Sequence, residues 1–517
     1  MGVQRLKGKI KLISVFIVCL IITVFPVVTH AMRGDCGYEG GISSGEAPNK
    51  SSFEYQEVCF ITGEPIVFKG TLKIKKTYKN NIINTTYIYN LDNAEKKATL
   101  TRTLNYRTEI TEKDNGQITE KTYFQKDPYE VIKIDNVTYT LKNYDFTRSS
   151  FIDQKPSINF YSGDIWNKKT YQTGGVNSGR STVTVEATGN FYGYDQYWGS
   201  AETQIINYVI SSESVKNGKI DKWTGTAKVT LSLTTTKQLK YEENLPEQSS
   251  YKGVYMEKQY NESILEYSCK LPEFDSKGVS TDIIKTKSGS LKIETFPQSQ
   301  PLSVPDISHL RGHWAENDIR ILYSLEIFKG DSSIFNPEQY ISRAEFVSAI
   351  VEAAKEVPKD PAFEKKNTRT AAARKKKEEE VISPFIDVST KSEYFASINA
   401  AYDRGIVSGD GGRFRPNEPI TLADALVILV RSVGLEGMAP GKYPVTTFRD
   451  NDLIPYYARQ AAFVAQEIGL VKGDTRGYLN PNEKLTKARA AALINNFINY
   501  MREGIKKVYT EGIVNYN

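Results

Sequence analysis

The sequence predicts a multidomain protein with an all-β, antiparallel, sandwich-like N-terminal region and an all-helical C-terminal region made of repeats. From about residue 36 to 296, apolar and polar residues alternate, as in "ATLTRTLNYRTEITEK" and "TGTAKVTLSLTTTK". This period of two is typical of strands with one solvated face. After the Pro- and Ser-bearing linker "FPQSQPLSVP" the apolar spacing becomes helical, and one segment recurs three times.

The first 31 residues have the pattern of a secretory signal. Four basic residues precede an apolar run and Thr29-His30-Ala31, which fits a cleavage site. Cleavage would remove four cations and no acid, which lowers the formal net charge from +6 to +2. Such a nearly neutral chain is a poor candidate for binding nucleic acid. No other apolar run is long enough for a membrane helix, so we expect an exported protein that no helix in lipid retains.

Export makes Cys36, Cys59 and Cys269 candidates for pairing. A Cys36–Cys59 bridge is the preferred interpretation, while pairing with Cys269 and three free thiols are the alternatives.

Residues 32–300 contain no histidine, which excludes Ser-His or Cys-His catalysis and His-based zinc chemistry there. A glycosidase with paired carboxylates remains compatible, although no motif supports it. The aromatic stretch 190–199 could stack on sugars, but packing inside the β region is the preferred interpretation.

The recurring segment reads "FNPEQYISRAEF", "FRPNEPITLADAL" and "LNPNEKLTKARAA". Each copy has a Pro two residues after its first position and a helix N-cap residue seven after it, namely Ser342, Thr421 and Thr486. Ser342 and Glu345 predict a capping box. Upstream of each copy an apolar pair is followed by a Gly-Asp turn, and we expect its glycine to end the preceding helix: Gly330, Gly409 and Gly473.

These residues resemble the S-layer homology domain. The "HWA" at 313–315, the Gly-Asp turn, the Phe-x-Pro and Ser342-Arg343-Ala344-Glu345 occur in order, and the resemblance covers about residues 303–505. It implies an all-α trimer of repeats with pseudo-threefold symmetry and binding grooves between neighbours. Such domains hold proteins non-covalently to secondary cell-wall polysaccharide, often bearing pyruvate ketals, in Gram-positive-type or related bacteria.

Arg343 is unusual because it lies in the first turn of a predicted helix, where the helix dipole disfavours cations. Together with the backbone N–H groups of a helix start, its guanidinium could bind the carboxylate of a pyruvate ketal. Lys487 keeps this charge in the third repeat, whereas Leu422 in the second cannot bind a carboxylate. We therefore expect at most two usable grooves, with Trp314 and its counterpart Tyr457 as platforms for sugar rings.

The resulting prediction is a secreted, wall-anchored surface protein whose β region is structural, as in a surface layer, or adhesive. A wall-anchored polysaccharide hydrolase and an extracellular glycan-binding module are the alternatives. We expect no cofactor, metal or catalytic residue; possible partners are the wall polysaccharide and further copies of the chain. The expected divisions are a signal at 1–31, one or two β domains at 32–300, repeats at 303–355, 384–435 and 445–505, and a charged insertion at 356–383. The expected polysaccharide-binding residues are Ser342, Arg343, Glu345, Lys487, Trp314, Tyr457, Gly330, Gly409 and Gly473.

Overall fold

The structure is a computed structural model that describes residues 37–44, 51–113, 117–173, 181–216, 219–243, 253–355, 382–507 and 509. The predicted signal and most of the charged insertion lie outside these ranges. Cys36 also lies outside them, so its predicted bridge to Cys59 stays a prediction. Within the described residues, Cys59 and Cys269 are not bonded to each other.

The N-terminal region is all-β and antiparallel. The fifteen strands that the described residues form belong to one sheet, and most neighbours in the chain are also neighbours in the sheet. β7 (Tyr129–Ile134) departs from this order by pairing with β5 (Ala98–Glu112) and β8 (Val137–Gln154), and β15 (Gln298–Pro301) pairs with β13 (Val254–Phe274). The strands are β1 (Gly41–Ser43), β2 (Ser52–Cys59), β3 (Ile66–Lys79), β4 (Ile82–Asn93), β5 (Ala98–Glu112), β6 (Gln117–Phe124), β7 (Tyr129–Ile134), β8 (Val137–Gln154), β9 (Asn159–Thr173), β10 (Ser181–Gln196), β11 (Gly199–Lys216), β12 (Lys219–Glu242), β13 (Val254–Phe274), β14 (Ser280–Glu294) and β15 (Gln298–Pro301).

The sheet curls so that residues of distant strands meet on its buried face. Arg102 on β5 forms two hydrogen bonds with Glu57 on β2, at 2.7 and 2.9 Å, and two with Glu130 on β7, both at 2.9 Å. Lys169 on β9 approaches Glu130 at 3.1 Å and also pairs with Glu39. Burial opposes ionisation of Glu130, but Arg102 and Lys169 outweigh it and lower the pKa of this carboxyl group to about 2. The core of the β region therefore contains a paired ionic network.

Among the described residues, the C-terminal region contains six α-helices. Two helices lie in each of the three predicted repeats, and the second helix of each repeat begins directly after the predicted cap residue. Ser342 accepts from the backbone N–H of Glu345 at 3.1 Å, and the Glu345 carboxylate accepts from the N–H of Ser342 at 2.9 Å, which confirms the capping box. The helices are α1 (Glu316–Ser324), α2 (Arg343–Ala354), α3 (Phe395–Asp403), α4 (Leu422–Val433), α5 (Arg459–Glu467) and α6 (Lys487–Asn499).

The two regions are packed against each other through the aromatic stretch 190–199. Trp198 is fully buried, and its indole N–H donates to the carbonyl oxygen of Ala353 at the end of α2, at 2.8 Å. Tyr194 belongs to the same apolar cluster as the helices. The predicted linker also differs from expectation, because Gln298–Pro301 forms β15 on the sheet. These two aromatic side chains are therefore packed, as expected, but they pack against the helices of the C-terminal region and not, as predicted, inside the β region alone.

None of the helices in the described ranges has both the length and the apolar composition needed to cross a membrane.

Candidate functional site: the seams between the helix starts

The starts of α2, α4 and α6 are joined by a closed cycle of backbone hydrogen bonds. Ile341 donates to Leu485 at 3.0 Å, Leu485 donates to Ile420 at 3.0 Å, and Ile420 donates to Ile341 at 3.1 Å. Each of these residues directly precedes a cap residue. The cycle brings the three helix starts together, although their sequences lie far apart in the chain.

The backbone N–H groups at these helix starts are already bound within the protein. In α2, Arg343 donates to the carbonyl of Glu418 at 2.9 Å and Ala344 to that of Pro416 at 3.0 Å, both in the second repeat. The first two residues of α4 donate in the same way to the third repeat, and those of α6 to the first. The third N–H of each helix donates to its cap residue. The expectation that these N–H groups form an open anion site is therefore wrong, because neighbouring carbonyl groups occupy them.

Three seams separate the helix starts, and each combines side chains from all three repeats. Seam 1 contains Arg343, Asp424 and Tyr457. Seam 2 contains Leu422, Arg489 and Trp314. Seam 3 contains Lys487, Glu345 and Tyr394. In each seam the first-named residue is the first residue of one helix. The second-named residue is the third residue of the helix in the following repeat, and the aromatic side chain comes from the remaining repeat.

Seam 1 explains how Arg343 is accommodated at a helix start. Its guanidinium donates to Asp424 at 2.8 Å and to the carbonyl oxygen of Phe414 at 3.0 Å. Tyr457 donates to the other oxygen of Asp424 at 2.9 Å. Burial and the Asp424 carboxylate raise the pKa of Tyr457 to about 12, so its hydroxyl remains a donor at neutral pH. The sequence suggested that the Arg343 guanidinium is unpaired and available to a ligand. In the structure it is instead paired with Asp424, and 20% of its side chain is exposed.

Seam 3 has the same electrostatic arrangement with lysine as the cation. Lys487 approaches the Glu345 carboxylate at 2.9 Å. Burial disfavours ionisation of Glu345, but hydrogen bonds from Lys487 and from the backbone N–H of Ser342 outweigh it and lower the pKa of the carboxyl group. A cavity of about 80 Å³ beside this pair is lined by aromatic side chains that include Phe335 and Tyr394.

Seam 2 has no such cation–carboxylate pair between its helix starts. Leu422 occupies the position of Arg343, and Arg489 occupies the position of the acid. Trp314, which is 63% exposed, lines a cavity of about 440 Å³ together with these two residues. The sequence grouped Trp314 with Arg343 because both belong to the first repeat. The structure instead places Trp314 with Leu422, and it places Tyr457 with Arg343 and not with Lys487.

The Gly-Asp turns lie beyond the helix ends that they were expected to cap. α1, α3 and α5 end several residues earlier, and the residues with left-handed backbone just after them are Glu326, Gly405 and Gly469. Gly330 and Gly409 do have positive φ, at 90° and 69°, but Gly473 does not. The assignment of these three glycines as C-caps is therefore wrong.

The aspartates of the Gly-Asp turns bind their own loops. Asp474 accepts from the backbone N–H groups of Arg476 and Tyr478, both at 2.9 Å, and Asp331 accepts from Ser333 at 2.9 Å. The hydrogen bond from Tyr478 and then that from Arg476 lower the pKa of the Asp474 carboxyl group. These interactions stabilise the turns, and the turn of Asp474 lines the cavity of seam 2.

Reasoning from the sequence missed Asp424 and Arg489. A signal was present in the charges at the first and third positions of each helix. When each first position is compared with the third position of the next repeat, Arg343 faces Asp424, Lys487 faces Glu345, and Leu422 faces Arg489. Comparing positions only within each repeat hides this complementarity.

Comparison with known proteins finds sequence relatives of the repeat region. The S-layer homology domain model matches residues 306–347 and 384–426. An amylopullulanase of Thermoanaerobacterium thermosulfurigenes is 29% identical over 187 residues, which are 36% of this chain and 9% of that protein. Exoglucanase XynX of Acetivibrio thermocellus is 25% identical over 248 residues, which are 45% of this chain and 21% of that protein.

A third relative is the surface-layer 125 kDa protein of Lysinibacillus sphaericus, 25% identical over 208 residues, which are 39% of this chain and 15% of that protein. The chain thus spans between 9% and 21% of the length of these three relatives. Residues 445–505 lie outside the two matched ranges but have the same order of helix, turn and capped helix, and the same backbone contacts to a neighbouring repeat. The C-terminal region of the chain therefore contains S-layer homology domains, at residues 306–347 and 384–426.

Proposed function

We propose that the three repeats form a pseudo-threefold trimer that holds this secreted protein non-covalently to an acidic, pyruvylated secondary cell-wall polysaccharide. The observation that carries the proposal is that seams 1 and 3 each contain a cation paired with an internal carboxylate, beside an aromatic ring. The closed hydrogen-bond cycle supports the trimeric arrangement, because each helix start depends on the following repeat.

Binding would proceed by exchange of one carboxylate for another. In seam 1 the polymer carboxylate would take the place of Asp424 on Arg343, whose planar guanidinium matches a carboxylate with two donors. The ring of Tyr457, which is largely exposed, would lie against the sugar. In seam 3 Lys487 would leave Glu345 in the same way, with the capping box of Ser342 and Glu345 positioning the helix start. Gly330, Gly409 and Gly473 would shape the turns at the edges of the seams.

The test is co-sedimentation of the full chain with purified wall sacculi, before and after chemical removal of pyruvate. We expect the native protein to sediment with untreated sacculi and to remain largely in solution after the treatment. Arg343→Ala with Lys487→Ala should also abolish sedimentation. Lys391→Ala is the control, because it removes an exposed cation outside the seams. Sedimentation that survives both depyruvylation and the double substitution would refute the proposed ligand.

The β region is proposed to be structural or adhesive. Its buried glutamates support this role, since Glu57 and Glu130 are both bound by Arg102, and a pKa near 2 leaves Glu130 without a proton to donate at neutral pH. A glycosidase needs one carboxyl group with a raised pKa as its general acid. Self-assembly of the purified chain into ordered arrays, viewed by negative-stain electron microscopy, would support the surface-layer role. Binding to host or wall surfaces without arrays would support the adhesive one.

A wall-anchored polysaccharide hydrolase is the second candidate, because two of the relatives are named as an amylopullulanase and an exoglucanase. The assay is release of reducing sugar from amylopectin, xylan, cellulose and purified wall polysaccharide by the full chain. Release from any of them that exceeds the heat-inactivated control would favour this candidate over the structural role.

A further inference from the structure

The segment that precedes β1 places one carboxylate on the buried face of the sheet. Glu39 lies between Gly37 and Gly40, whose φ values of 74° and 80° belong to the left-handed region that favours glycine. A Cβ at either glycine would collide with a tyrosine hydroxyl group, that of Tyr89 at Gly37 and that of Tyr208 at Gly40. The segment is thus closely fitted to the sheet, and the Glu39 side chain is only 1% exposed.

Glu39 meets an amine and a second carboxylate at this position. The Nζ of Lys169 contacts Oε2 of Glu39 and lies 3.1 Å from Oε2 of Glu130. The Lys169 and Glu130 side chains are 9% and 0% exposed, so water has little access to the three groups. Because it is costly to keep ions out of water, a reaction that removes one cation and one anion together is favoured here.

The two carboxylate oxygens of Glu39 have different partners. Tyr144 donates to Oε1 at 2.5 Å and Tyr106 donates to it at 3.4 Å. Lys169 contacts Oε2, which also lies 3.5 Å from Nε of Arg102. Burial raises the pKa of Tyr144 well above its ordinary value, so its hydroxyl group keeps its proton and remains a donor. Two fixed donors on one oxygen are the arrangement that stabilises an oxyanion during acyl transfer.

We propose that Lys169 and Glu39 condense into an internal amide without another enzyme, with Glu130 as the base. A proton first passes from the Lys169 ammonium group to Oε2 of Glu39, which leaves a neutral amine and a neutral acid. The amine nitrogen then attacks Cδ of Glu39, and Tyr144 and Tyr106 stabilise the negative charge that forms on Oε1. Glu130 takes a second proton from the nitrogen and passes it to Oε2. The bond between Cδ and Oε2 breaks, and one water molecule leaves.

This reaction balances within the cluster. Of the three ammonium protons, two leave in the water and one remains on the amide nitrogen, so the reaction needs no oxidant and no further reactant. Glu130 begins and ends as a carboxylate, the form in which Arg102 holds it. Groups held in contact react as if each were present at an effective concentration of about 10⁵–10⁸ M. The amide therefore forms between groups that the fold has already brought together.

The amide joins the segment before β1 to β9, which lies 130 residues further along the chain. It holds the start of the sheet in place by a covalent bond that needs no cysteine. The inference does not rest on the proposed function, because Glu39 and Lys169 belong to the β region and the seams belong to the helical region.

The test is intact mass spectrometry of the reduced full chain, followed by proteolytic digestion that also determines the N-terminus. We expect a mass lower than the sequence requires by one water molecule, and a branched peptide that joins Glu39 to Lys169. Lys169→Arg keeps the positive charge but removes the amine, so this variant should have the full mass. Glu130→Gln should slow the reaction about a hundredfold or more, as loss of a general base does. The cross-linked fraction at successive times after induction of expression measures this rate.

The matched control is the ion pair of Lys237 and Glu257, which is also buried. Its Nζ lies 3.2 Å from the carboxylate, and the two side chains are 6% and 12% exposed. Among the described residues, Lys237 forms its ion pair with this one carboxylate, so a second carboxylate that could act as the base is not paired with it. Digestion should therefore release these two residues in unbranched peptides.

A native chain with the full sequence mass overturns the inference. A mass deficit that persists in Lys169→Arg overturns it as well, because the amide would then lie elsewhere. A branched peptide at Lys237, or cross-linking of Glu130→Gln at the native rate, would refute the role of Glu130 as the base.

Discussion

Replacement of Asp424 by Asn should strengthen binding of the chain to acidic wall polysaccharide. In the proposed exchange, the polymer carboxylate must displace Asp424 from the guanidinium of Arg343. Asparagine keeps the size and the hydrogen-bonding capacity of the side chain but removes its charge. The competing interaction with Arg343 therefore weakens, and the incoming carboxylate becomes the better partner.

The size of the effect follows from the geometry of the pair. A hydrogen bond to a charged group contributes about 1.5–3 kcal/mol. Because Arg343 and Asp424 are 20% and 27% exposed, we reduce this to about 1–2 kcal/mol to account for solvent screening. At about 1.4 kcal/mol for each factor of ten, Asp424→Asn should lower the dissociation constant about 5- to 30-fold.

The assay is equilibrium binding of the full chain to purified wall polysaccharide at two salt concentrations. Asp410→Asn is the matched control, because it removes a carboxylate from the same repeat that is 83% exposed and pairs with Arg415 on the surface. Both substitutions change the net charge equally, so a general electrostatic effect would appear in both. If Asp424→Asn weakens binding, or strengthens it no more than Asp410→Asn, the exchange of carboxylates in seam 1 is refuted.

Three further predictions concern the rest of the fold. Trp198→Ala should lower the free energy of unfolding by about 3–5 kcal/mol and lower the calorimetric melting temperature of the helical region. Trp166→Ala, at a half-buried site, should have a smaller effect. Equal effects of the two substitutions would contradict a core shared by the β region and the helices. Arg102→Met should lower the free energy of unfolding, measured by chemical denaturation, by about 3–5 kcal/mol, because Glu57 and Glu130 would lose their buried partner. An unchanged free energy of unfolding would disprove the stabilising role of Arg102. The lowered pKa of Glu130 contributes stability that is present above the unfolded value of 4.5 and is lost as the pH falls towards about 2. The stability difference between the native chain and Glu130→Gln, followed by circular dichroism, should therefore shrink across that range, and a constant difference would show that Glu130 does not titrate there.

Features set by neighbours in the chain could be predicted from the sequence. The alternation in β5 predicts its buried face, and "SRAE" predicts the capping box of α2, because a strand has a period of two and a cap bonds three residues ahead. The threefold recurrence and its S-layer homology character are also evident in the sequence. Local periodicity cannot show, however, that Arg102 meets Glu57 on that face, because Glu57 is 45 residues away in sequence.

The composition of each seam was decided by the tertiary structure. Arg343 and Asp424 are separated by 81 residues, and Tyr457 lies 33 residues further along the chain. A sequence read repeat by repeat identifies a cation at each of two helix starts, but not the carboxylates that face them. The cyclic contact of the helix starts brings these groups together. It also provides carbonyl acceptors for the backbone N–H groups that would have no partner at the start of an isolated helix. The types of side chain at each helix start are thus local information, whereas their pairing and their access to a ligand arise only when the three repeats close on one another.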